Sequence, residues 1–244
     1  MDSVVATKHL SIGWSADEVL LKDIEFEVKR GEIFAILGAS GCGKSTLLRT
    51  LIGLSRPLAG EVLIEGRRYP DERVEKPIFG VVFQSGALFG SLTVGENVAL
   101  PLIEWTRLPR PVITDMACAK LRLVGLEESA EKLPAELSGG MRKRAALARA
   151  MALEPSLVFL DEPTTGLDPI MAAEIDELIL KLNQALGVTV VMVTHQISSL
   201  RRLAHRCMML DPEAKDIIAE GTPDDVARSD DERVRAFFES DRPS

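Results

Sequence analysis

Apolar residues along this chain change period several times, and each change marks an element. From Val4 to Trp14 the spacing is that of a strand, and Ile24, Phe26 and Val28 alternate with Glu25, Glu27 and Lys29, as in a half-exposed β-strand. Arg30-Gly31 predicts a tight turn into the unbroken apolar run Ile33 to Leu37, which reads as a buried strand. Thr46 to Ile52 is helix-like and is stopped by Gly53 and Pro57, and Gly60 to Ile64 predicts another strand that Gly66 turns back. Ile78 to Phe83 is a further short strand, which delivers Gln84 to a strand end.

Between Ser85 and Leu153 the pattern becomes helical: Val94 to Leu102, Ile113 to Val124, and a run beginning near Gly139. Pro101, Pro109, Pro111 and Pro134 punctuate it, as suits short helices with angular connections, so residues 86–153 read as a helical subdomain inserted in an α/β core. Strands return at Leu157 to Glu162 and at Val188 to Val193, the latter ending in Thr194-His195. In the tail, Thr222 to Ser244, the positions of Val234, Phe237 and Phe238 predict a short amphipathic helix. Its apolar face covers either this chain's own core or a neighbouring subunit. The predicted class is α/β, a parallel core with an N-terminal antiparallel layer.

Composition narrows the functional classes. A chain of 244 residues that is 46% hydrophobic can bury a sizeable core, and its net charge of −8 argues against direct binding of nucleic acid, which needs a basic surface. No apolar run approaches the roughly 20 residues that span a bilayer, and Met1-Asp2-Ser3 lacks the features of a signal peptide, so a cytosolic chain is expected. Cys42, Cys118 and Cys207 have neither the number nor the spacing of a disulfide framework or zinc site.

The chemistry concentrates at strand ends. Gly38-Ala39-Ser40-Gly41-Cys42-Gly43-Lys44-Ser45 matches G-x-x-x-x-G-K-[ST] in full, between a strand and a helix, which is the context a phosphate-binding P-loop requires. Its glycines let successive backbone N–H groups and the helix start, at Thr46, face one anion. Lys44 then reaches the β- and γ-phosphates, and the Ser45 hydroxyl serves Mg²⁺. Cys42 within the loop is either a reactive thiol or a filler. Ser138-Gly139-Gly140 at a predicted helix start offers a second anion-binding geometry, since a plain N-cap needs the serine but not both glycines. Asp161 and Glu162 end a buried strand, where α/β sheets place ligands. Trp14, in a chain with 2 Trp and 1 Tyr, is either an adenine-stacking ring or a core residue, whereas His9 and His205 have no comparable placement.

The phosphate loop, Gln84, the LSGGM run at 137–141, the LVFLDE strand at 157–162, Gly166-Leu167-Asp168 and His195 together resemble the ATP-binding-cassette (ABC) ATPases over nearly the whole chain. The resemblance implies a RecA-like P-loop NTPase core with residues 1–228 as the ATPase domain and 229–244 as a C-terminal extension. ATP and Mg²⁺ are the implied cofactors. Asp161 would hold the metal's hydration shell, Glu162 would polarise the attacking water, Gln84 would link metal and water to the helical subdomain, and His195 would donate to the γ-phosphate. Trp14 matches the family's adenine-stacking aromatic. Ser138, Gly139 and Gly140 would contact the γ-phosphate held by a second copy in a head-to-tail homodimer, with Asp168 at the seam.

Met141 departs from the Gln of many members, which removes any polar contact that Gln would make. The runs at 83–89, 97–102 and 145–150 resemble the lipid-transport, Mla-type branch. That branch implies an integral membrane permease, a periplasmic MCE-domain protein, a small cytosolic STAS-domain partner, phospholipid cargo, and a seat on the cytoplasmic side of the bacterial inner membrane. Leu88, Phe89, Leu102 and Trp105 would then either receive the permease's coupling helix or form the subdomain's own core. Other readings are an ABC transporter of ions, amino acids or drugs, a non-transport ABC protein, and a regulatory module without turnover; intact Lys44, Asp161, Glu162 and His195 weigh against the last.

Overall fold

The computed structural model describes residues 3–70 and 77–239. In chain order these form β1 (Ser3–Gly13), β2 (Val19–Ile24), β3 (Glu27–Lys29), β4 (Ile33–Gly38), α1 (Lys44–Leu51), β5 (Ala59–Ile64), β6 (Arg67–Tyr69), β7 (Gly80–Val82), α2 (Val94–Trp105), α3 (Arg110–Leu123), α4 (Gly139–Ala150), β8 (Leu157–Asp161), α5 (Pro169–Leu186), β9 (Thr189–Val193), α6 (Ile197–Leu203), β10 (Arg206–Asp211), β11 (Asp216–Gly221), α7 (Pro223–Ala227) and α8 (Glu232–Glu239). The chain divides into two units, residues 1–73 with 189–244, and residues 74–188.

The first unit holds the expected antiparallel layer, in which β1 pairs with β2, β3 and β5, and β5 with β6. Ile24, Phe26 and Val28 are buried and their charged neighbours exposed, as the alternation requires, yet the strand is interrupted between Ile24 and Glu27. There the buried Thr7 hydroxyl accepts from the Phe26 N–H (3.1 Å) and donates to the Ile24 carbonyl (3.3 Å). A side chain thus replaces ladder bonds where β1 changes partner. In the parallel part β4 lies between β9 and β10, and β11 closes the edge antiparallel to β10. Every residue of β4 is buried, as its unbroken apolar run demands.

The tail folds back on this same unit. Val234 and Phe238 of α8 are buried, and Arg233 donates to Asp211 at the end of β10 (2.9 Å). The described part of the predicted extension therefore covers its own chain, while residues 240–244 lie outside the described residues.

In the second unit β7 and β8 run parallel, with Val82 opposite Leu160, so Gln84 and Glu162 follow neighbouring strand ends. Helices α2, α3 and α4 share an apolar core that includes Val98, Leu102, Ile113, Leu121, Ala145 and Ala148. Leu102 is therefore a core residue and not a docking residue. Helix α2 starts with a capping box between Thr93 and Glu96. One turn on, the fully buried Asn97 side chain accepts from the Phe89 N–H (2.8 Å) and donates to the carbonyls of Phe89, Leu92 and Thr93. That clamp presents Phe89, 54% exposed, on a fixed loop.

Candidate functional site

In the first unit the phosphate loop leaves the carboxyl end of β4 and enters α1. Gly43 caps that helix in the left-handed conformation (φ 101°) and has no side chain to bond the first-turn N–H groups, which leaves that role open to an anion. The Lys44 ammonium folds onto the loop, donating to the carbonyls of Gly38 (2.7 Å) and Ala39 (2.8 Å). Ala39, Ser40, Gly41 and Ser45 are exposed, and Thr46 is buried, so an anion would meet Thr46 through its backbone. Val193 of β9 pairs with Ile36 of β4, and the Thr194 N–H donates to the Ile36 carbonyl (3.3 Å). His195, exposed, therefore emerges at the same sheet edge as the loop.

Cys42 settles as a filler. It is 1% exposed, and burial pushes its thiol pKa up despite the nearby Lys44 charge, so the thiolate is disfavoured. Trp14 is 66% exposed, which removes the core-packing alternative and leaves its ring open to a ligand. Of the remaining histidines, His205 accepts from the Ile33 N–H at the start of β4, and His9 pairs with Asp23 on the exposed face of β1.

The second unit carries the other expected residues. Ser138 is the N-cap of α4, its hydroxyl accepting from the Met141 N–H (3.2 Å) while it stays exposed. Gly140 has a packing reason of its own: a Cβ there would lie 2.7 Å from the Met171 Cε of α5. Asp168 caps α5, accepting from the N–H groups of Ile170 and Met171 (3.0 Å each). Asp161 ends β8, and Glu162 follows it with a left-handed backbone (φ 49°), which costs a non-glycine residue on the order of 1–3 kcal/mol. The Thr165 hydroxyl donates to the Glu162 carboxylate (2.7 Å) and helps hold that conformation. The Gln84 amide and the Asp161 carboxylate, at or just past the ends of the neighbouring strands β7 and β8, carry oxygen donors of the hard kind that suits Mg²⁺.

Two residues of α4 that motif reading passed over organise this unit's site. Lys143, 8% exposed, donates to the backbone carbonyls of Gln84 (2.5 Å) and Glu162 (3.0 Å). Burial lowers its pKa, an effect opposed by the charges of Asp161 and Glu162. Arg149 donates to the carbonyls of Ala87 (2.7 Å) and Gly86 (2.9 Å), and burial lowers its pKa too. The basic run after the LSGGM segment was visible in the sequence, but only the inward turn of these two side chains separates them from Arg142 and Arg144.

Comparison with known proteins gives the family. The profile of the family described as ABC transporter matches residues 21–165. The intermembrane phospholipid transport system ATP-binding protein MlaF of Haemophilus influenzae is 42% identical over 99% of this chain and 93% of its own length. A probable ribonucleotide transport ATP-binding protein, mkl, of Mycobacterium leprae is 40% identical over 99% of this chain and 70% of its own. Among solved structures, the ATP-binding cassette MJ0796, a dimer in a post-hydrolysis state bound to ADP and Pi, superposes with a TM-score of 0.80 at 34% identity, covering 90% of this chain and 98% of that one.

Proposed function

This chain belongs to the ABC transporter family and is an ATP-hydrolysing cassette of it; on that premise we propose that it drives a bacterial inner-membrane complex that moves phospholipids between the inner and outer membranes. The observation that carries the nucleotide reading is the uncapped N-terminus of α1 beneath a glycine loop whose lysine is held at its rim. The cargo reading is supported by the phospholipid-transport relative that aligns along almost the whole chain.

The roles we propose follow the residues. Backbone N–H groups of Gly38, Ala39, Ser40, Gly41, Cys42, Gly43 and Thr46, with the Lys44 ammonium, hold the phosphates, and the exposed Trp14 stacks on adenine. Ser45, Gln84 and Asp161 serve Mg²⁺, which supplies charge neutralisation. Glu162 takes the proton of the attacking water and His195 donates to the γ-phosphate. Phosphoryl transfer is governed by positioning and electrostatics, and these groups supply one copy's share of each composite site. Ser138, Gly139 and Gly140, with Asp168, serve the face toward a second copy, so that ATP closes a dimer and hydrolysis opens it. The dimeric neighbour structure supports that assembly.

No helix among the described residues is long and apolar enough to cross a membrane, so in this reading an integral permease holds the chain on the cytoplasmic side of the inner membrane. A cavity of about 380 Å³ lined by Phe79, Leu100, Pro101, Trp105, Arg149 and Leu153 supports docking of an apolar helix there. Trp105 at its edge is 45% exposed. A periplasmic MCE-domain protein and a cytosolic STAS-domain protein complete the proposed complex. A second reading, favoured by the mkl relative, keeps the motor and changes the cargo.

The test is purification of the complex with its bound lipids. Phospholipid in stoichiometric amount supports the cargo, and a complex that carries none while another solute stimulates its turnover refutes it. Glu162→Gln should leave ATP binding intact and nearly stop hydrolysis, whereas Lys44→Ala should weaken binding itself. Equal turnover of wild type and Glu162→Gln would sink the assigned role.

A further inference from the structure

Lysines on helices ordinarily extend their ammonium to water. On α4, Arg142 donates to the Leu137 carbonyl and Arg144 pairs with Glu174, while Lys143 between them turns inward and is 8% exposed. Its ammonium meets the carbonyls of Gln84 and Glu162, the residues that follow the neighbouring parallel strands β7 and β8. It stands five residues after Ser138, the N-cap of the same helix.

Packing alone needs no charge at this point, since an apolar side chain of similar length would escape the desolvation cost. What an ammonium delivers is simultaneous donation to two carbonyls, together with a positive charge beside Asp161 and Glu162. Glu162 needs such constraint, because its left-handed backbone is strained and persists only where its surroundings hold it. We propose that Lys143 is a positioning residue for ATP hydrolysis, tying α4 to the backbone from which the side chains of Gln84 and Glu162 project. The inference rests on the hydrolytic reading above. It goes further in making one helix carry both the phosphate-facing Ser138 and the anchor of the water-activating carboxylate.

Displacing a reacting group by about 1 Å costs on the order of 100-fold in rate. Lys143 touches no group assigned to the phosphates, so its loss should appear in kcat and spare ATP affinity. The experiment uses the complete purified complex in lipid, with turnover followed by phosphate release and affinity by titration with labelled ATP. Lys143→Met should lower kcat by about 10–100-fold with the Kd for ATP within threefold, and Lys143→Arg, which keeps two donors, should recover most of the loss. If Lys143→Met does not assemble, Lys143→Gln, whose shorter neutral side chain cannot span both carbonyls, is measured in its place with the same expectation. Overturning results are a kcat within twofold of wild type, a proportional loss of affinity and turnover, or an Arg variant no better than Met. Failure of the wild-type complex to hydrolyse ATP would instead refute the functional reading itself.

Discussion

The first two glycines of the phosphate loop, Gly38 and Gly41, look alike in sequence and differ in what surrounds them. At Gly41 (φ 82°) an added Cβ meets nothing within 4 Å, whereas at Gly38 (φ 143°) it would lie 2.5 Å from the Cys42 Sγ and 2.6 Å from the Leu210 carbonyl oxygen. Gly41→Ala therefore carries the backbone strain alone, about 1–2 kcal/mol. Gly38→Ala adds overpacking of about 1–3 kcal/mol. The Leu210 contact is with backbone of β10, held in register by pairing with β4, so it cannot be relieved by a rotamer change. Truncating Cys42 in the Gly38→Ala background should therefore recover only part of the loss. Urea unfolding of the purified chain measures both variants, provided the m-value stays constant. Equal midpoints for the two alanine variants would show that the close approach of β10 beneath the loop is not what demands glycine at 38.

Three further outcomes are expected. Asn97→Ala removes four hydrogen bonds from a fully buried side chain and should cost about 3 kcal/mol in thermal unfolding; an unchanged melting temperature would contradict the clamp. Phe238→Ala should cost about 3 kcal/mol and Phe237→Ala clearly less, because Phe238 is buried and Phe237 only half-buried in the chain by itself; equal losses in urea unfolding would place the tail elsewhere. His9 hydrogen-bonds to Asp23 and faces the Glu25 charge, which raises its pKa above 6.5. Its contribution to stability is therefore present in full below the unfolded value and is lost as pH rises through the folded one. An NMR titration should show a midpoint above 6.5 that falls in Asp23→Asn; a midpoint at or below 6.5 refutes the pairing.

Much of the fold was legible locally. The unbroken apolar run of β4, the alternation at 24–29 and the helical spacing of α2 each state a period that burial then honours. The missed elements carried weaker or unused signals. Helix α5 has Asp168 as its cap, Pro169 in its first turn and Gly187 at its end, signals the motif reading absorbed into a functional role for Asp168. Strands β10 and β11 gain their meaning from pairing with β4 and with each other, which no local window records.

The sequence by itself determined which chemistry this protein holds. A phosphate loop, two carboxylates at a strand end and a histidine at another are statements of residue type and spacing, and spacing survives in one dimension. Only the tertiary structure decided which way side chains face. It turned Lys143 and Arg149 inward onto backbone carbonyls, left Trp14 in solvent, buried Cys42 and Leu102, and seated Phe238 on its own chain. The physical reason is that orientation depends on what neighbouring elements already occupy, and those neighbours come from distant parts of the chain.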